Sequence, residues 1–169
     1  AFKNPDGTYS IEGNKIFISG ADSDLVENVI HPVLARTENA PSGTGGISLF
    51  LVPKYRLDDQ GKTTNIKNDI EITGIEEKLG MHGNVTCSVS FGSKKKCTGE
   101  LIGEKNKGMK YMFLMMNEAR QGAALQALGI SSASYANAVK YAKERIQGPN
   151  LVETTKDNPV KVPIIQHPE

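Results

Sequence analysis

Phe17 and Ser19 stand two residues apart in "GNKIFIS", and on a strand that spacing sends both side chains off one face, an aromatic ring beside a hydroxyl. In an ordinary strand such a pair is one core residue and one rim hydroxyl. Asn117 and Arg120 are three apart in a helical stretch, so they share a face and can line one side of a groove, with Met116 and Phe113 as apolar wall. Arg145 falls near the end of the same stretch, where a guanidinium either complements the helix dipole or offers a planar fork to phosphate oxygens. Other polar residues promise less. His31, His82 and His167 show no metal spacing among themselves or with Cys87 and Cys97, so no zinc is expected. "GTGG" lacks the Lys-Ser/Thr ending and the following helix of a phosphate loop, and reads as a turn.

Two kinds of element must position these residues. Up to about Gly103 the apolar residues come in short runs broken by turn residues. "YSIEGNKIFIS" reads as a hairpin around Glu12, Gly13 and Asn14, and "LVENVIHPVLART", "GGISLFLVPKYR", "NDIEITGIEE", "TCSVSF" and "GELIG" as further strands. "TENAPSGTGG" and "DDQGKTTN" read as polar connections between them. The expectation is an antiparallel β-barrel over residues 1–103.

After Gly108 the period changes. Met109, Met112, Phe113, Met116, Ala119, Ala123 and Ala127, then Tyr135, Val139, Ala142 and Ile146, follow three- and four-residue steps, which predicts a long helix over about 108–146 and then a loop. Residues 104–169 are therefore expected to start a helical domain. About 38 residues at about 1.5 Å each make a rod near 57 Å, against a diameter of roughly 40 Å for a compact domain of this chain length. Small residues such as Gly122, Ala123, Ala127, Gly129 and Ser132 fall on several faces, which suits an incomplete helical bundle finished by other residues or another subunit. The alternative is a kink near Gly129 and a fold back.

The 169 residues carry 20 basic and 19 acidic side chains, a formal charge of +1, which gives no electrostatic reason to expect nucleic acid or an anionic membrane. Two cysteines are too few for a disulfide framework, and no apolar run is long enough to span a bilayer, so a reduced, cytoplasmic setting is expected. "SKKK" reads as a basic turn serving solubility. The chain opens at Ala1 and enters at once into strand-type sequence, which leads us to expect a piece of a longer chain.

"DGTYSIEGNKIFISG", "KLGMHGNVTCSVSF", "LIGEKNKGMKYMFLMMNEAR" and "YAKERIQG" occur in the order and spacing of the acyl-CoA dehydrogenases, which Tyr9 to Gln147 resemble in their middle and early C-terminal part. "ENVIHPVLAR", "MMNEAR", "ERIQG" and the terminal "PIIQHPE" are most similar to the large subgroup that includes 3-methylmercaptopropionyl-CoA dehydrogenase. The resemblance implies FAD as cofactor, an acyl-CoA substrate, an electron-transfer acceptor and a homo-oligomer, with a middle β-barrel followed by a helical bundle. It implies flavin contacts for Phe17 and Ser19, which match the family's aromatic and Thr. Arg145 and Gln147 match the residues that reach the diphosphate of a dinucleotide bound mainly by the partner subunit, although Gly148 and Pro149 replace the family's Phe-Gly. Met116, Asn117 and Arg120 match the acyl-CoA side, with Asn117 in place of the common Asp. His82, Gly83 and Asn84 fall in a family loop near cofactor and substrate, Asn84 replacing a common Ser.

No catalytic base is expected in this stretch. Some relatives carry a catalytic Glu immediately before the Arg matching Arg120, but Ala119 stands there. Glu118 is one residue back, rotated by about 100° on a helix, and reads as a solvated carboxylate. The base is expected outside the chain, and the chain alone is expected to be inactive. Two other readings stay open: an acyl-CoA oxidase, which shares these segments, and a non-catalytic β-barrel binding module with an oligomerising helix.

Overall fold

The structure, a computed structural model, describes every residue except Leu151, Glu153, Thr154, Lys156, Asn158, Pro168 and Glu169. The last two belong to the "PIIQHPE" motif, so that part of the resemblance lies outside the described residues. Two compact units divide the chain, Ala1–Met115 and Met116–Glu169.

The first unit holds ten strands in chain order: β1 (Phe2–Lys3), β2 (Tyr9–Ser10), β3 (Gly13–Ser19), β4 (Ile30–Arg36), β5 (Ile47–Pro53), β6 (Tyr55–Leu57), β7 (Thr63–Lys67), β8 (Ile70–Ile75), β9 (Thr86–Phe91) and β10 (Thr98–Ile102). They form a five-stranded sheet in the order β1-β2-β10-β5-β4, a three-stranded sheet β3-β9-β8 and a ribbon β6-β7, with every pairing antiparallel. The core lies on the facing sides of these sheets. Phe50 and Val52 are fully buried, Ile11, Cys87, Val89 and Cys97 nearly so, and the Tyr9 and Phe50 rings meet at 5.0 Å between centroids. Burial pushes the Cys97 thiol up to about 12, which keeps it protonated and inert.

Two expectations are corrected here. The stretch around Glu12, Gly13 and Asn14 is no hairpin: β2 pairs with β1 and β10, while β3 pairs with β9 in the other sheet. The chain changes sheets at Ile11, whose N–H is taken by the Cys97 carbonyl at 3.0 Å. Nor is the barrel closed among the described residues. The two sheets end on β3 and β4, and no ladder joins those edges. Leu34 turns its carbonyl away from β5, to Lys15 Nζ at 3.1 Å, and Pro32, two residues earlier on the same edge, has no N–H to give. On the other side β3 carries a bulge between Lys15 and Ile18. Lys15 of β3 thus reaches the Leu34 carbonyl of β4 through its side chain, and the described residues hold no backbone ladder between the two strands. Side chains fill part of the seam, and a pocket of about 360 Å³ lined by Ile18, Ser19, His31, Val33 and Phe91 stays open between them.

"DDQGKTTN", expected as a plain connection, is the turn and second strand of the β6-β7 ribbon. "SKKK" is a turn, and it is tied down: Asp69 accepts the N–H groups of Lys94 and Lys96, each at 2.9 Å. Lys94 Nζ also pairs with Glu71 at 2.9 Å.

His31 is buried, with its ring edge-on to Phe91 at 5.7 Å and its Nε2 without a partner. Desolvation is the main cause that lowers its pKa; Lys54 adds to it and Asp22 opposes it. The unfolded chain therefore holds the His31 proton more tightly than the folded one. Stability is full above the ordinary histidine pKa of about 6.5 and falls as pH drops through it. Urea unfolding between pH 8 and pH 5 should show this loss, and His31→Leu should remove much of the dependence. An unchanged slope in the variant would place the effect elsewhere.

Helix α1 runs from Gly108 to Glu144, 37 residues or about 55 Å of helix, without a break at Gly129, so the fold-back alternative is not taken. From Met116 to Glu144 every side chain is exposed except the half-buried Met116, Val139 and Ala142. Leu125, Leu128, Ile130, Tyr135 and Tyr141 are among the exposed ones. Beyond the helix the chain does not simply run on as a loop. Ile146–Pro149 (β11) pairs antiparallel with Lys161–Pro163 (β12). Among the described residues no helix is long and apolar enough to cross a membrane, and no group of three or more His, Cys, Asp or Glu side chains could hold a metal ion.

Candidate functional site

In the first unit the site builds around the end of β3. Phe17 sits in the bulge with a φ of 60° and is 69% exposed. Left-handed backbone is costly for a bulky non-glycine residue, roughly 1–3 kcal/mol, and such residues gather where a side chain must be presented. Plain two-residue alternation does not put Phe17 and Ser19 on one side here, because the bulge resets the pleat. Both are nevertheless exposed, on either side of half-buried Ile18.

The strand end is held firmly. Ser19 lies opposite Thr86 of β9, with the two hydroxyl oxygens 3.1 Å apart. The Gly20 N–H donates to the Val85 carbonyl at 2.9 Å, and the Glu76 N–H to the Thr86 carbonyl at 2.8 Å. Beside this corner the loop carrying His82, Gly83 and Asn84 is closed by its own bonds. Lys78 Nζ donates to the Met81 carbonyl at 2.9 Å and also to that of Asn84, and the His82 ring meets the Lys78 carbonyl at 2.8 Å. The loop borders a pocket of about 430 Å³ that Thr86 and Val85 also line. The sequence offered no signal for Thr86 beyond its place in "TCSVSF".

In the second unit, Asn117 and Arg120 share a face as their spacing predicts, with Arg120 Nη1 at 3.5 Å from Asn117 Oδ1, the outer limit of a hydrogen bond. Both are exposed, and Met116 is half-buried. Glu118 and Ala119 are exposed on the same turn. At the far end Arg145 is the first residue past α1. Its N–H donates to the Tyr141 carbonyl and its carbonyl accepts from Ile164, each at 2.8 Å, so the backbone is fixed while the side chain is exposed. Gln147 and Gly148 lie where the β11-β12 register shifts, and Gly148 has a φ of 70°. The backbone carbonyl of Gln147 takes a bond from His167 Nε2 at 2.7 Å, and the residue is exposed. The structure thus brings together Phe17 and Ser19, then Met116, Asn117 and Arg120, then Arg145 and Gln147, as three groups.

No protein-family model matches the chain. It is 41% identical over 169 residues to the 3-methylmercaptopropionyl-CoA dehydrogenase of Ruegeria pomeroyi, an alignment covering 100% of this chain and 28% of that one. It is 42% identical over 166 residues to a butyryl-CoA dehydrogenase of Syntrophomonas wolfei, covering 95% of this chain and 27% of the other. Among solved structures, the butyryl-CoA dehydrogenase from Megasphaera elsdenii superposes with a TM-score of 0.62 at 32% identity, over 86% of this chain and 34% of that chain. The chain therefore spans less than a third of the length of these two curated relatives.

Proposed function

We propose, on the premise that this chain is similar along its length to part of the acyl-CoA dehydrogenases, that it is a segment of a flavin-dependent enzyme forming an α,β double bond in an acyl-CoA thioester. Such an enzyme needs a base for the α-proton, polar groups around the thioester carbonyl, and a hydride acceptor. Bound FAD would supply the hydride acceptor.

The chain's own residues would do the holding. Phe17 offers an open aromatic face and Ser19 a hydroxyl to the edge of a flat ring, and the observation that carries this reading is the left-handed, largely exposed Phe17 beside Ser19. Arg145 and the Gln147 amide, exposed on a fixed backbone, suit diphosphate oxygens. Arg120 and Asn117, with Met116 at their side, suit the polar and apolar parts of an acyl-CoA. The exposed small and apolar residues of α1 suit further helices of a bundle, from the rest of the chain or from another subunit, and the flavin's electrons would pass to an electron-transfer acceptor. With Ala119 before Arg120 and Glu118 one residue off, the base would come from outside this segment, and the segment alone would not turn over.

The test is flavin retention in the complete protein. Phe17→Ala with Ser19→Ala should purify with its flavin absorbance largely lost, since roughly 1–3 kcal/mol of stacking and a hydrogen bond of about 1 kcal/mol go together. Unchanged flavin content would reject the assignment.

A further inference from the structure

We infer that Thr86 is a positioning residue that turns the Ser19 hydroxyl outward as a hydrogen-bond donor, an inference that rests on the flavin role proposed for Ser19. The two residues face each other across the β3-β9 pair, and their oxygens lie 3.1 Å apart. Geometry leaves open which of them donates; burial decides. Thr86 is 8% exposed, while Ser19 is at the open end of its strand. A buried hydroxyl hydrogen without an acceptor costs more than an exposed one, which water can satisfy, so the Thr86 hydrogen points at Ser19 Oγ. Ser19 Oγ then accepts from Thr86, and its own hydrogen is left for a partner outside.

Thr86 is well placed to enforce this. Its β-branched side chain has few rotamers, its carbonyl is bonded to Glu76 N–H at 2.8 Å, and the neighbouring Val85 carbonyl is bonded to Gly20 N–H at 2.9 Å. The bonded backbone holds the Thr86 Cα in place, and the β-branched side chain restricts where its hydroxyl can turn. The ligand chemistry this selects at Ser19 is an acceptor atom on the edge of a planar ring.

The experiment uses the complete flavoprotein with Thr86→Val, Thr86→Ser, Ser19→Ala and the Ser19→Ala/Thr86→Val double variant. Flavin dissociation constant, visible spectrum and midpoint potential are read for each. Thr86→Val keeps the shape and should weaken flavin binding about 3- to 10-fold with a shifted potential. Thr86→Ser keeps the hydroxyl and should restore both. The double variant should be no worse than Ser19→Ala. A silent Thr86→Val beside an affected Ser19→Ala overturns the inference alone, as do additive losses in the double variant. If Ser19→Ala itself is silent, the flavin role of Ser19 falls and the inference falls with it. Should Thr86→Val not fold, Thr86→Ser decides: a loss as large as that of Ser19→Ala overturns the inference, and wild-type binding with a wild-type potential supports it.

Discussion

Replacing Asn68 by Leu is expected to cost about 3–5 kcal/mol, read as a lowered urea midpoint with an unchanged slope. Asn68 is fully buried and uses its whole amide. Nδ2 donates to the Pro53 carbonyl at 2.8 Å and to the Thr98 carbonyl at 2.7 Å. Oδ1 accepts from the Thr98 N–H at 2.9 Å and from the Thr98 hydroxyl at 3.1 Å. One side chain thus joins the end of β5 to the start of β10, where the ladder between them has not yet begun. Leu fills similar space and strands these groups, each worth about 1–3 kcal/mol when left unpaired in the interior. Asn68→Asp is the sharper control. Its carboxylate still accepts from Thr98 but faces two carbonyl oxygens with no hydrogen to offer. Its deficit should therefore shrink as pH falls and the carboxyl regains a proton. A variant as stable as the wild type would show that water serves these groups and that Asn68 is no staple.

The second large effect is expected at Gly108, where α1 begins. A Cβ there would stand 2.5 Å from the Ser48 carbonyl carbon and 2.7 Å from the Leu49 nitrogen, well inside the 3.4 Å at which ordinary contact starts. The colliding atoms are β5 backbone, so no rotamer can relieve them. The same place is held by fully buried Ser48, whose hydroxyl accepts the Asn106 N–H at 2.8 Å. Alanine is the better helix former by about 1 kcal/mol, while an overlap with fixed backbone costs about 1–3 kcal/mol or more. The overlap wins, and Gly108→Ala should lose about 2 kcal/mol, Gly108→Val more. Thermal unfolding measures it. A gain in melting temperature for Gly108→Ala would mean that the helix start is not seated on β5.

Neither residue announces itself in the sequence. Asn68 opens "NDIEITGIEE" and reads as the start of one more strand; only the approach of Pro53 and Thr98, 15 and 30 positions away, makes it a staple. Gly108 reads as a helix boundary, and its second duty appears only when β5 lies against it. Thr86 is likewise one more β-branched strand residue until Ser19 is placed opposite.

By itself the sequence determined the change from short antiparallel strands to one long helix at Gly108, because pleat and helix each impose a repeat that apolar residues reveal within a few positions. It also carried, in four linked segments, the resemblance from which Phe17, Ser19, Arg120 and Arg145 take their proposed work. The tertiary structure alone decided that β2 and β3 join different sheets and that β3 and β4 leave an open seam instead of closing a barrel. It alone decided that Phe17 is held out by a left-handed bulge, and that the chain past α1 pairs as a ribbon. These outcomes depend on which edge meets which and on one extra residue in β3, and hydrogen-bond partners far apart in the chain leave no periodic trace.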